Sequence, residues 1–136
     1  MSRSSRGKVA EYYVAAELTR RGYLIAMPPG NVAGTDLFVE SPEGAVFGVE
    51  VKSLKKPNFW LVKDSPVESS RFYILVLLNE PSPRYFVFTP GQMLKEKDVH
   101  RAKVQKRGKP TNNPLWQGIN MGQVYPYENQ WDILPP

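Results

Sequence analysis

Apolar positions along the chain change their period several times, and each change marks a different element. From about Gly7 to Arg21 they recur at helical spacing. Ala10, Val14 and Leu18 step by four, Tyr13 and Ala15 widen the stripe, and Gly22 stands as a stop behind Arg20 and Arg21. Tyr23 to Ala26 reads as a short strand, and MPPGNVAG as a loop by its Pro and Gly content. Asp36 to Glu40 and Val46 to Lys52 alternate with period two on either side of Ser-Pro-Glu-Gly, which predicts a hairpin. A further strand is predicted near Asn58 to Lys63. The continuously apolar Phe72 to Leu78 predicts a strand covered on both faces, followed by another over Arg84 to Phe88. Thr89 and Pro90 suit a helix cap and first helical position, so Gly91 to about Val99 is predicted helical. Beyond it HRAKVQKRGKP is too basic for core. The tail from Thr111 to Pro136 carries Trp116, Tyr125, Tyr127 and Trp131 among Pro, Asn and Gly, aromatics suited to anchoring a loosely structured C-terminus.

This order of elements predicts one α/β domain over residues 1–136 with a mainly sheet core, and composition narrows what it does. The 136 residues are enough to bury one core, and 41% hydrophobic with 23% charged residues is an ordinary globular balance. No apolar run approaches the ~20 residues that span a bilayer, and the opening MSRSSRGK lacks the apolar segment of a secretory signal. The expectation is a soluble, intracellular, cytoplasmic protein that does not engage a membrane. Cysteine is absent, which excludes disulfides, thiolate zinc sites and a cysteine nucleophile. A lone histidine, His100, leaves no imidazoles for a multi-histidine metal site and lies within a basic run, which argues against a Ser-His-Asp triad. The formal net charge of +5 biases the protein towards polyanions.

Candidate chemistry lies in the hairpin. Val49 and Val51 share one face of the second strand, so Glu50 and Lys52 share the other, roughly 6.5–7 Å apart along the chain. Asp36 opens the first strand and brings a second carboxylate towards them. Glu11 lies on the first helix with Ala15 and Leu18 at i+4 and i+7, along a face partly committed to the core. If that helix packs on the hairpin, Glu11, Asp36 and Glu50 converge. Three carboxylates sharing a site resist ionisation unless a cation compensates, and magnesium needs only one or two of them as ligands, for which Asp36 and Glu50 suffice. Lys52 would then stand beside a scissile phosphate, its point charge set to stabilise developing negative charge. Those are the parts of phosphodiester hydrolysis. Blander readings exist for each residue: Glu50 and Lys52 as a surface pair worth ~0–1 kcal/mol, Glu11 as a solvated helix residue, and Asp36 as a turn residue.

Asp36 followed by Glu50-Val51-Lys52 resembles the bipartite signature of the PD-(D/E)XK nuclease superfamily, the restriction-endonuclease-like fold. The helix GKVAEYYVAAELTRRGY is similar to the opening helix of archaeal Holliday junction resolvases. The resemblance covers roughly residues 7 to 90. It implies an αβββαβ core with a central mixed sheet, here followed by a basic, aromatic-containing C-terminal extension over about 91–136. It further implies a metal-dependent endonuclease acting on DNA with magnesium, or manganese as substitute, and a homodimer in many members. Asp36, Glu50 and the Val51 carbonyl would bind the metal, Lys52 would assist catalysis, and Glu11 would hold a second metal or a water on the first. Two departures stand out. Thr35, where the family often has proline, precedes Asp36, and no long amphipathic helix lies between Lys52 and Phe72. The crossover helix is either shortened to about Pro66 to Arg71 or replaced by a strand around Trp60.

A second line is the basic run, where Lys95, Lys97, Arg101, Lys103, Lys106, Arg107 and Lys109 face only Glu96 and Asp98. Such a segment suits a mobile arm or helix end that follows a phosphate backbone without reading sequence, and equally suits a solvated face. Phe59, Trp60 and Trp116 offer stacking surfaces or core packing. The remaining alternative is a catalytically silent nuclease-fold module that binds nucleic acid or a protein partner.

Overall fold

In the computed structural model, residues 2–28, 35–79, 81–108 and 117–136 are described. The first helix, α1 (Arg3–Arg20), starts earlier than its apolar stripe because the Ser2 hydroxyl accepts from the Ser5 amide and caps it. Gly22 at φ +94° ends it. Five strands then build the main sheet: β1 (Leu24–Ala26), β2 (Leu37–Glu40), β3 (Val46–Leu54), β5 (Arg71–Leu77) and β6 (Arg84–Phe88). Their spatial order is β1-β2-β3-β5-β6. β2 and β3 form the predicted hairpin, with Leu37 opposite Val49 and Val39 opposite Phe47. β3 and β5 run parallel, which makes the sheet mixed.

The parallel step requires a crossover, and the crossover is not a helix of ordinary length. It contains β4 (Trp60–Leu61) and a 3-10 turn at Glu68–Ser70, so both sequence-based alternatives are present in reduced form. β4 does not join the main sheet. It pairs with β7 (Gly118–Ile119), almost sixty residues further on. Gly118 is required there, because a Cβ would fall 1.9 Å from the Trp60 carbonyl oxygen.

Strand alternation divides the core into two clusters. On one face Ala10, Val14 and Leu18 of α1 pack over Leu37, Val49, Val51 and Ile74, joined by Trp131 and Leu134 near the C-terminus. On the other, Tyr73, Leu75, Leu77, Phe86 and Phe88 meet Trp60, Val62, Ile119, Val124 and Met93. β5 is therefore buried on both sides, as its unbroken apolar run predicts. Tyr13, placed in the helix stripe by its spacing, is instead 43% exposed.

Helix α2 (Pro90–Lys106) opens with a capping box between Thr89 and Gln92 and runs about two turns beyond its expected end. Met93, Lys97, His100 and Val104 form its buried side, so the basic segment is core-docked helix up to Lys106 rather than a free arm. The tail is also more ordered than expected. After β7 come the short helix α3 (Met121–Val124) and 3-10 turns at Tyr125–Tyr127 and Trp131–Ile133. Tyr127 stacks on Phe88, Trp131 packs on Tyr85, and Tyr23 donates a hydrogen bond to the Pro135 carbonyl. The loop MPPGNVAG beyond Pro28, and Lys109 and Trp116, lie outside the described residues.

Candidate active site

Asp36 stands where the β2–β3 ladder stops. Its amide donates to the Val49 carbonyl, and its Oδ2 accepts from the Val51 amide at 2.7 Å, replacing the backbone partner that a longer β2 would have supplied. That hydrogen bond ties the carboxylate to the middle of β3. Val49 and Val51 point into the α1-facing core, so Glu50 and Lys52 project on the other face, with Glu50 opposite Tyr73 and Lys52 opposite Leu75 on β5. The alternation read from sequence is present in the fold.

Asp36, Glu50 and Lys52 form one electrostatic group. Burial is the largest influence on Asp36 and raises its pKa, opposed by the Val51 amide and by the charges of Lys52 and Lys8. Glu50 is likewise raised first by burial, opposed by Lys52, and the negative charge of Asp36 adds to the rise. Lys52 acts on both carboxylates, yet among the described residues it makes no contact ion pair. The simple Glu50–Lys52 surface pair is therefore not what the strand carries.

Glu11 is placed differently. Its carboxylate lies 3.2 Å from Lys8 Nζ, and it is Lys8 whose charge reaches Asp36. Among the described residues no group of three or more acidic, histidine or cysteine side chains is set to hold a metal ion. Within the expected trio Asp36 and Glu50 act on one another electrostatically, and Glu50 projects from the face of β3 opposite to α1.

The surroundings include Arg71 and Glu68, which the sequence did not single out, and Lys97 and Arg101, which it read only as part of the basic run. Arg71 lies across Gly48, where a Cβ would meet its Cδ at 2.7 Å, and its Nε donates to the Thr35 hydroxyl beside Asp36. Glu68 and Lys97 both act on the charge of Glu50. Lys97 is buried, with its ammonium 2.6 Å from Asp64 and 2.8 Å from Glu68. Arg101 shares Asp64 and also faces Asp98. Two members of the basic run are thereby committed within the fold, while Lys95, Lys103, Lys106 and Arg107 are exposed. Only long-range packing distinguishes these groups, and no local signal marks them. His100 packs against Phe59 and takes a hydrogen bond from Asn120 at Nδ1, while its buried Nε2 has no partner among the described residues. Phe59 and Trp60 are packing residues, Trp60 in the core and Phe59 against His100.

Comparison with models of known protein families gives no match. A search of curated proteins also finds none. Among solved structures the fold is similar to a bacterial homing endonuclease, I-Ssp6803I, with a TM-score of 0.53 over 66% of this chain and 70% of that one, at 20% identity. The chain therefore has a mixed α/β fold like that of a nuclease. Among the described residues no helix is long and apolar enough to cross a membrane.

Proposed function

We propose that the protein is a metal-dependent nuclease of the PD-(D/E)XK type that hydrolyses phosphodiester bonds in DNA. The observation that carries this reading is the Asp36–Glu50–Lys52 group: two partly buried carboxylates of raised pKa, one fixed by a backbone amide, with an ammonium that acts on both and pairs with neither. Similarity of fold to an endonuclease supports it.

The donor set suits a hard divalent cation. It offers carboxylate oxygens and no sulfur or imidazole, and the cost of burying both charges falls when a cation is added. Asp36 and Glu50 would hold magnesium, or manganese in its place, with the Val51 carbonyl as a further ligand. Glu11, paired with Lys8, is left out of this set. When bound, the ion would polarise a phosphoryl oxygen and make attack by water easier at neutral pH. Lys52 would orient the phosphate and stabilise the negative charge that grows on its oxygens during attack. Exposed Lys95, Lys103, Lys106 and Arg107 on and beside α2 would supply sequence-independent attraction to the backbone. Lys97 and Arg101 would serve the fold first.

A second reading is a nuclease-fold module that binds nucleic acid without cutting it, for which the exposed Lys95, Lys103, Lys106 and Arg107 suffice. Incubation with single-stranded, duplex, flapped and four-way DNA and with RNA, in magnesium or manganese against EDTA, separates the two. The nuclease reading expects cleavage of DNA that EDTA abolishes. Binding unaffected by chelation, with no cleavage of any substrate, would support the silent module.

A further inference from the structure

Two adjoining depressions lie at the carboxyl ends of the parallel strands β3 and β5, where the Leu78 amide donates to the Leu54 carbonyl. Ligands of open α/β sheets collect outside such strand ends. The first depression encloses about 170 Å³ between α1 and the β5–β6 turn. Val9 and Tyr13 form its helix side, and Leu78, Pro81 and Pro83 the other. The second holds about 430 Å³ and is lined by Arg6, Lys55 and Lys56 with Ser53 and Asn58. Arg6 and Lys55 border both.

Their chemistry differs in a way that matches one kind of ligand. The smaller depression lies below the ~300–1,000 Å³ of drug-sized ligand sites, and its walls are mainly an aromatic ring, two prolines and aliphatic side chains, with Arg6, Lys55 and Asn79 at the border, which suits one planar ring system with polar edges. The larger one is cationic. Arg6, Lys55 and Lys56 bring three positive charges to it, complementary to an anion. Tyr13 is 43% exposed, lines the smaller depression and has no aromatic partner among the described residues. A small, mainly apolar slot joined to a cationic cleft is complementary to a base and its phosphates.

Along the chain, the lining residues are close to the proposed catalytic group. Arg6 is two residues before Lys8, whose charge reaches Asp36. Lys55 follows Lys52 by three residues, just past the end of β3 and on its α1 side, within roughly 10 Å of chain. We propose that the slot beside Tyr13 receives an unpaired base of a DNA strand while Arg6, Lys55 and Lys56 hold the phosphates next to the one at Lys52, so that the substrate carries a single-stranded segment, as a flap or overhang. This rests on the nuclease reading for the placement of the scissile phosphate. The slot itself is carried by its own lining.

The test is fluorescence anisotropy of the full chain in calcium, with a blunt duplex, the same duplex bearing a single-stranded flap, and that flap made of RNA. A magnesium cleavage assay on the two DNAs accompanies it. Wild-type protein is expected to bind the DNA flap at least tenfold tighter than the blunt duplex. Tyr13→Ala is expected to remove about tenfold of the flap affinity, the size of one missing base–aromatic stack, and to leave duplex affinity unchanged. Tyr13→Trp should restore flap binding, which a purely structural role would not. Lys55→Ala with Lys56→Ala should flatten the salt dependence of flap binding by up to ~0.7 for each phosphate no longer neutralised. Equal binding of flap and duplex, or flap affinity indifferent to Tyr13→Ala, overturns the slot, and cleavage of the blunt duplex would then leave the nuclease reading intact. Tyr13-dependent flap binding with no cleavage upholds the slot and removes the nuclease reading. Preference for the RNA flap would contradict a DNA substrate.

Discussion

At Asp36 and Glu50 function and stability pull in opposite directions. Both carboxyls have raised pKa values because the fold buries them, so the folded state holds their protons more tightly than the unfolded chain does. Their favourable contribution to folding is complete below the ordinary carboxylate range. It is lost as pH rises through the raised folded values, and above those values both charges oppose folding. Asp36→Asn and Glu50→Gln are therefore expected to raise the midpoint of thermal unfolding at pH 7 in EDTA, while abolishing magnesium binding by calorimetry. Unchanged metal affinity in both variants would remove them as ligands. His100 has the opposite dependence. Burial, aided by Arg107, Lys103 and Arg101, lowers its pKa, so stability should fall as pH drops below about 6.5, and His100→Gln should weaken that fall. The carboxylates and Lys52 were legible in the sequence because a strand has period two and a hairpin brings its arms together. Arg71, bound to Thr35 across Gly48, was not legible, since nothing local connects positions 35, 48 and 71.

The elements that sequence delimits well are those whose pattern is local. β6 matches its expected span, and β2 and β3 match to within two residues, because alternation and the intervening turn define them. α2 runs well past its sequence-based end because its later turns are basic. Its buried side, Met93, Lys97, His100 and Val104, does follow helical spacing, but Lys97 and His100 are polar and their burial depends on distant partners. Lys97 is held by Asp64 and Glu68 from the crossover. Lys97→Met should leave Glu68 without its cation and cost ~1–3 kcal/mol in urea unfolding, less than for a fully buried pair because both acids are partly exposed. It should leave the salt slope of DNA binding unaltered. Neutralising Lys103, Lys106 and Arg107 together should do the reverse, reducing that slope by up to ~0.9 for each duplex phosphate no longer neutralised, with little change in stability. β4 escapes proper delimitation for a similar reason, because its partner β7 lies in the tail. Gly118→Ala should break that pair by collision with the Trp60 carbonyl, destabilising by at least ~1–3 kcal/mol.

For the whole molecule, a mixed sheet is layered between α1 with the Trp131–Ile133 turn and α2 with the small β4–β7 sheet, and one run of charged residues follows the edge of this layer. It runs from Asp36, Glu50 and Lys52 past Lys8 to Arg6, Lys55 and Lys56. Other charges are paired within the fold, as in Arg84 with Glu128 at 2.8 Å. The order of elements read from sequence was enough to anticipate the sheet, while the folded tail and the strand-end clefts arise from packing between segments far apart along the chain. The central claim is that the hairpin group cuts DNA with a metal ion, and Lys52 decides it, because its surface and catalytic roles differ most. The measurement is single-turnover cleavage of flapped DNA with saturating protein and magnesium, comparing wild type with Lys52→Ala after equal folding and binding have been confirmed. The account predicts that wild type cuts and that Lys52→Ala binds alike but cuts ~100-fold or more slowly, the loss expected when one stabiliser of developing charge is removed. Equal rates for the two proteins, or no magnesium-dependent cleavage by wild type, would contradict it.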